Sequence, residues 1–430
     1  MHNDTPLNPA RWSKLASCAP GAALLAIVVV GVAPRTAPFM LLLLGTVTIG
    51  SALTVARPLS WRPIPDLVVV LAVFGAYIAL NALWSVAPMT GLGRALIFAL
   101  VVGMGLAVAR ALPMLTDEDA ARLQWAVFCG IAVMALFLAF EVYCGQPVRR
   151  WVVSFIPPLR PSPKHMAVAD GWVTRINLYT LNRNIAVLNL MLWPALLLLR
   201  AYLPKTKALL VGCALLALTA VASFASEHET SMIALVVSCL VLAGMVIAAS
   251  VTRVLVIAAW VAATLLVVPA ANIAHDAGLH RAGWLPQSAR NRVILWNVTA
   301  DRMQQSPILG IGIESTKPLD QESAAEAPRE PGDGYSQRTG RHAHNIFMQT
   351  WYELGAVGAL LLLIAGFATL RAMSRLPLAD QPYAFASFAS TIVLASFTWG
   401  MWQPWFMCAF GLWGVLLLTG LDAARRFPAR

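Results

Sequence analysis

The sequence predicts an all-α, polytopic membrane protein, and three observations predict it. Of 430 residues, 59% are hydrophobic and only 12% are charged, with a mean hydropathy of +0.71, whereas soluble domains carry about 25% charged residues. Apolar stretches of about 20 residues, the length a helix needs to cross a bilayer, recur along the whole chain. Runs such as Ala22 to Val30 and Leu209 to Leu218 do not alternate apolar with polar residues, which excludes the strands of about 10 residues that build an outer-membrane barrel. A soluble globular enzyme is excluded as well.

Hydropathy places about twelve spans. The first six fall near Leu15 to Ala33, Pro38 to Ala56, Asp66 to Trp84, Leu92 to Ala109, Arg122 to Glu141 and Asn184 to Leu199. The others fall near Ala208 to Phe224, Ser231 to Ala248, Val254 to Asn272, Asn345 to Leu370, Pro382 to Gly400 and Trp402 to Leu421, the last two closely joined. The polar residues Met1 to Ser13 precede the first span without a small-residue cleavage site, so that span is expected to be retained. Cys18, Cys129, Cys144, Cys213, Cys239 and Cys408 lie in or beside apolar runs with no CxxC pair, which indicates neither a disulfide framework nor a cysteine metal site.

An even number of spans puts both termini on one side, and the positive-inside rule makes that side the cytoplasm. Arg11, Lys14, Arg57, Arg62, Arg110, Arg122, Arg200, Lys205, Lys207, Arg253, Arg371, Arg375, Arg425, Arg426 and Arg430 fall there, against Arg35 and Arg94 in the short outer connections, a bias of 15 to 2. The net charge is +11. The other 14 basic residues sit in two long outer loops, Val142 to Arg183 and Ile273 to His344, whose length exempts them from the rule. The chain thus divides into residues 1–272, with nine spans and a loop near 142–183; residues 273–344, a large outer loop with short helices; and residues 345–430, with three spans. His165, His228, His275, His280, His342 and His344, six of the seven histidines, also map outward. A transporter would place ionisable groups at mid-membrane, and the span cores are almost free of charge, so chemistry is expected at the outer membrane surface.

The large loop has internal order. Val293, Trp296, Thr299, Ala300 and Met303 recur at helical spacing and predict an amphipathic helix from Ser288 to Gln305. Ser306 and Pro307 end it, and Pro307-Ile308-Leu309-Gly310-Ile311-Gly312 reads as a tight turn returning the chain. Glu314 to Gly340, rich in Glu, Pro, Gly and Asp, reads as a mobile flap.

Arg341-His342-Ala343-His344-Asn345 lies where the loop re-enters the membrane. A histidine there can take a proton from an attacking hydroxyl, and nearby arginines favour its neutral form; the plain alternative is that His344 and Asn345 cap the helix. His342, two residues away, reads as a flanking group. Arg290 and Arg292 stand at the start of the amphipathic helix, where guanidinium groups bind phosphate bidentately. With Arg149, Arg150, Arg160, Lys164, Arg175 and Arg183 of the first loop they would build an outward basic pocket, or else contact phospholipid headgroups. Glu227, His228 and Glu229 form a short outer turn with the makings of a base or metal site. No Asp-x-Asp stands on an outer loop, since Asp117-Glu118-Asp119 maps inward and reads as a solvated helix cap. Trp84, Trp151, Trp172, Trp284, Trp351, Trp402 and Trp405 read as interfacial anchors.

Arg292-Val-Ile-Leu-Trp296, Ser306-Pro307-Ile-Leu-Gly310-Ile-Gly312, and His344-Asn345 followed by Glu353-Leu-Gly355 and Gly358 resemble the hallmark of the O-antigen ligase and polymerase superfamily. Leu181-Asn182-Arg183-Asn184 is similar to that family's asparagine-rich start of a central span. The resemblance implies a membrane glycosyltransferase of the C type in a bacterial inner membrane, with its large loop and active site periplasmic. It implies transfer of a glycan from undecaprenyl diphosphate to an acceptor hydroxyl, which in the ligases belongs to the lipid A-core, so that lipopolysaccharide is completed. By position, His344 matches the family's essential histidine and Arg292, 52 residues earlier, its essential loop arginine. Arg290, Arg183, Arg175, Arg341, Asn345 and His342 are the expected partners of diphosphate and glycan.

One departure stands out: many members carry Ser-Arg at the outer start of the span that here follows Ser226-Glu227-His228-Glu229-Thr230-Ser231, which has no arginine. Arg183 or Arg175 is the candidate substitute. The implied mechanism is a single inverting displacement without metal or cofactor, the arginines stabilising the departing diphosphate; membrane lipids are the other expected partners, and nucleic acid is not one. A polymerase, which would use a second lipid-linked glycan as acceptor, and a protein oligosaccharyltransferase share this chemistry. A lipid or solute transporter is the alternative of another class.

Overall fold

The structure, a computed structural model, describes residues 9–55, 65–323 and 337–428. Arg57, Arg62 and Arg430 of the predicted inward set, and residues 324–336 of the predicted flap, lie outside the described residues. Helices α1 (Pro9–Val32), α2 (Ala37–Leu53), α3 (Asp66–Asn81), α4 (Pro88–Ala111) and α5 (Asp117–Tyr143) precede a short α6 (Pro147–Phe155) and the hairpin of β1 (Met166–Ala169) and β2 (Trp172–Ile176). Next come α7 (Asn182–Tyr202), α8 (Lys205–Phe224), α9 (Glu229–Ile247) and α10 (Ala249–Asp276). The large loop holds α11 (Gln287–Met303) and α12 (Thr316–Glu322), and α13 (Ile346–Ser374), α14 (Gln381–Phe397) and α15 (Pro404–Arg426) complete the bundle.

Among the described residues, ten helices are long and apolar enough to cross a membrane. A helix stands at each of the twelve predicted places; the 17-residue α14 falls short of that length, and the 24-residue α1 is measured only from Ser17. Ten of the twelve predicted spans thus meet this measure among the described residues. All six cysteines are free.

Central α7 buries nearly all of its length against α5, α8, α14 and α15, with Trp193 fully enclosed. The polar groups sort to the two ends of the bundle. At one end Arg200 pairs with Asp380, and Arg426 bridges Asp117 (2.7 Å) and Asp422 (2.8 Å). Thr116 caps α5 there by accepting from the Asp119 N–H (3.1 Å). At the other end lie the two long loops, tied to the bundle where Asn184 Nδ2 donates to Gly31 O (2.6 Å) and Val32 O (2.8 Å).

Helix α13 breaks at Gly355 (φ 65°, ψ −165°). A break in a membrane helix leaves backbone groups that must find partners within the protein, and the predicted turn supplies them. Ile311 and Gly312 N–H donate to Tyr352 O (3.1 Å) and Glu353 O (3.0 Å), while Ala356 and Val357 N–H donate to Pro307 O (2.9 Å) and Ile308 O (3.2 Å). Asn81 clamps the same turn, its Nδ2 donating to Leu309 O (2.9 Å) and its Oδ1 accepting from Ile313 N–H (2.6 Å). The Glu353 carboxylate below the break accepts from Thr316 Oγ1 (2.5 Å) and Trp402 Nε1 (2.5 Å).

The first loop departs from the all-helical expectation locally: β1 and β2 pair antiparallel around Asp170 and Gly171, both at positive φ, the backbone that a two-residue Asp-Gly hairpin turn needs. The predicted flap is anchored at its described ends. Glu314 pairs with Arg94 (2.6 Å), and buried Asp320 of α12 pairs with Arg338 and accepts from Gly340 N–H (2.9 Å).

Candidate functional site

Three segments converge at the loop-bearing end: residues 341–345 ahead of α13, the first half of α11, and the turn Ser226–Glu229 ahead of α9. The link between α14 and α15 closes the cluster.

Asn345 caps α13, its side chain accepting from Phe347 N–H (2.9 Å) and Met348 N–H (3.1 Å). The capping alternative thus holds for Asn345. It leaves His344 outside the helix in left-handed backbone (φ 54°), a conformation held against strain in non-glycine residues and concentrated at functional sites. His344 Nδ1 bonds to Thr398 O. A carbonyl only accepts, so Nδ1 carries the proton and Nε2 offers its lone pair.

His342 is not a mere flanking group. Because the helix begins only at Ile346, the backbone here is irregular, and the His342 ring packs edge-on against His344 with centroids 4.1 Å apart. Gly400 makes room, since a Cβ there would stand 2.8 Å from the ring. Ala343 between them is held at both polar atoms: its carbonyl accepts from Trp296 Nε1 (2.7 Å) and its N–H donates to Gln349 Oε1 (3.1 Å). Trp296 stands four residues after Arg292, so this bond ties the arginine's helix to the histidine segment. The predicted apolar face of α11 is confirmed by burial of Val293, Thr299, Ala300 and Met303.

Arg292 is largely buried and its charge reaches three imidazoles. Burial pushes His344 down to about 3, helped by His342 and Arg292 and opposed by the Thr398 carbonyl. Burial also lowers His342, with Arg341 and Arg292 adding to it, and takes His228 down to about 4 with Arg292 again contributing. Burial lowers Arg292 itself, and nearby Glu229 works against that shift. The result is a cationic guanidinium, attended by Glu229, among neutral imidazoles, one of which, His344, keeps its lone pair at Nε2.

Arg183 belongs to this neighbourhood. Its guanidinium lies over Trp399 (5.8 Å) and Trp405 (5.6 Å), and Trp399 stacks on His228 (5.4 Å). Arg183 Nε and Arg290 Nε are buried without a hydrogen-bond partner among the described residues, each at a cost of about 1–3 kcal/mol that an anion would relieve. Arg341 is exposed and acts through its charge on His342. Arg175 is exposed on β2 and is not brought into the cluster. Of the two candidate substitutes for the missing arginine, Arg183 stands beside the turn in question.

The sequence did not single out Thr398, Trp399 or Glu229 as partners of His344, Arg183 and Arg292. The tryptophan reading also needs correction. Trp402 and Trp405 are buried, so neither serves as a headgroup anchor; Trp351 is half-buried and donates to Thr264 O (2.7 Å), and Trp84, Trp151, Trp172 and Trp284 are exposed. The Glu227–Glu229 turn is used to start α9, with His228 Nδ1 against Ser231 Oγ (2.6 Å).

Part of this chain is similar to known proteins. Residues 214–363, which span α8 to the middle of α13, match the sequence model of a family described as O-antigen ligase. A protein of Rickettsia conorii provisionally named polysaccharide ligase is 26% identical over 132 residues, 30% of this chain and 31% of that protein. Proteins of Rickettsia felis and Rickettsia typhi with the same provisional name are 24% and 25% identical over 132 residues, again 30% of this chain and 32% of theirs. The chain thus matches about a third of the length of these relatives.

Proposed function

We propose that this chain, a member of the O-antigen ligase family, transfers O-antigen polysaccharide from undecaprenyl diphosphate to a hydroxyl of lipid A-core at the periplasmic face of a bacterial inner membrane. The observation that carries the reading is His344, neutral, anchored at Nδ1 by Thr398 O and charge-coupled to buried Arg292. The acceptor oxygen attacks the anomeric carbon as its proton passes to His344 Nε2. The bond from that carbon to the diphosphate oxygen breaks, and configuration inverts. Arg292, with Arg183 and Arg290, meets the charge that develops on the leaving diphosphate, where fixed cations contribute most in a site screened from water. No metal or cofactor has a part in this scheme.

His344 at rest is a weak base, and the donor corrects this: its phosphates offset Arg292 and favour the imidazolium. The acid limb of kcat should therefore stand at higher pH than that of kcat/KM, which reports the free enzyme and stays flat down to about pH 4. Matching limbs in a pH series would remove His344 as the base.

The direct test is purified protein with undecaprenyl-diphosphate-linked O-antigen and lipid A-core in EDTA, followed by gel mobility of the lipopolysaccharide. Wild type should form a ladder, and His344→Ala and Arg292→Ala should each lose about 10²-fold or more of the rate. Lengthening of the lipid-linked glycan instead would make the chain a polymerase. If neither product forms, the acceptor assignment fails and protein hydroxyls become the substrate to try.

A further inference from the structure

The link between α14 and α15 reaches all three histidines of the candidate site. Thr398 O holds His344 Nδ1, Trp399 stacks on His228, and Gly400 leaves the space that the His342 ring fills. Further along, Met401 Sδ accepts from Thr350 Oγ1 (3.6 Å) on the first half of α13, and buried Trp402 donates from Nε1 to Glu353 Oε2 (2.5 Å). Residues 398–402 lie outside the helices, so these contacts, not a helical ladder, set where the link lies. Glu353 itself is wholly buried just before the break in α13. Ionisable groups enclosed within membrane spans are costly and mark functional sites. Three donors meet its two oxygens: Thr316 N–H (3.1 Å) and Oγ1 (2.5 Å) give to Oε1, and Oε2 takes Trp402.

The first half of α13 is fixed at both ends, by the Asn345 cap and by the turn of residues 307–312 lodged at the break. Along it, His344 and Glu353 are nine residues apart, about 14 Å at roughly 1.5 Å per residue. Their partners Thr398 and Trp402 are four residues apart on the link, a reach of at most about 14 Å even when fully extended. Little slack separates the two contacts, so a shift of Trp402 carries to the Thr398 carbonyl. We propose that Glu353 is a positioning residue for the transfer reaction: by holding Trp402 it seats the link so that Thr398 O keeps His344 protonated at Nδ1 and leaves Nε2 free as the base. This rests on the role given to His344 above. With the carbonyl displaced, the proton is free to pass to Nε2, where it blocks that role. The other oxygen of Glu353 serves a separate purpose, tying the start of α12 to α13 through Thr316.

Trp402→Phe keeps the ring and deletes the Nε1 donor, and Glu353→Met keeps the length and deletes the acceptor. The two changes together strand neither partner of their bond, which supplies a folded protein should a single change fail. Thr316→Val, which takes one donor from Oε1 only, is the control. Full-length protein with isotope-labelled histidine nitrogens is read by NMR in nanodiscs, the His344 signals being those lost in His344→Ala. Wild type and Thr316→Val should show His344 protonated at Nδ1; Trp402→Phe, Glu353→Met and the double variant should show a mixture of both tautomers, to the same degree. In glycan transfer these three should lose about tenfold in kcat at unaltered donor KM, and Thr316→Val should not. An unaltered tautomer or kcat in the folded variants, a loss carried by KM, or the same loss in Thr316→Val would each overturn the proposal. The tautomer is read without substrate. If it shifts as expected but wild type transfers no glycan, the ligase reading falls and the seating of His344 stands; if wild type transfers glycan and the variants keep the tautomer, the positioning role alone falls.

Discussion

His344 occupies backbone that costs a non-glycine residue about 1–3 kcal/mol, and its neighbours hold it there: Asn345 closes the first turn of α13, and Trp296 and Gln349 grip Ala343. Asn345→Ala should lower stability by about 1 kcal/mol, read as a reduced unfolding midpoint in detergent, while His344→Ala should leave that midpoint nearly unchanged. Trp296→Phe keeps the ring but leaves Ala343 O unpaired, so kcat should fall about tenfold with the donor KM unaltered; a KM effect alone would argue against a positioning role. At this scale His344, Arg292 and Asn345 were legible because short motifs name them. His342 was misread because it would point away from His344 only if the helix had already begun there, whereas the segment before Ile346 is irregular, and Glu229 and Trp399 meet the site only through folding.

Among the elements, the break in α13 is the least regular and the most constrained. Gly310, Gly312 and Gly355 all have positive φ, and a Cβ on Gly355 would stand 2.3 Å from Ile308 O. Gly355→Ala combines a strained φ with an overlap against backbone, so destabilisation of about 2 kcal/mol or more is expected; an unaltered thermal midpoint would show that the turn can move aside. The helices were legible from hydropathy, with ends displaced by a few residues because polar first and last turns, such as Asp117–Glu118–Asp119, continue beyond the apolar run. The turn was legible from its proline and glycines, but its docking partner, more than 40 residues later in the chain, was not. The hairpin was missed although Asp170-Gly171 between alternating residues signals one.

For the whole molecule, three histidines buried in their neutral form couple folding to acidity. Unfolded, each titrates near about 6.5; folded, His228 and His344 stand at about 4 and about 3 and His342 is lowered too. Below pH 6.5 the unfolded chain gains protons that the folded one refuses. Stability is therefore full above that pH and lost as pH falls toward 4, by on the order of 3 kcal/mol for His228 alone. Unfolding midpoints at pH 7.5 and 5 should differ accordingly, and His228→Gln should reduce the difference while His342 and His344 keep the remainder. The separation of charge between the two ends of the bundle was legible in the spacing of arginines, whereas pairings such as Arg426 with Asp117 required the fold.

The turn lodged in α13 also imposes an order on biogenesis. Pro307 to Gly312 leave the ribosome before Tyr352 to Val357, yet each set of backbone groups completes the other. Until they meet, α13 carries two open carbonyls and two open amides at membrane depth, a state lipid penalises. The loop must therefore wait, unfinished, for the helix that follows it, and the histidine segment joining them settles once Thr398 at the end of α14 reaches His344. The candidate cluster thus forms only after α13 is seated and α14 has delivered Thr398, so that a chain arrested before α13 carries no such cluster to expose.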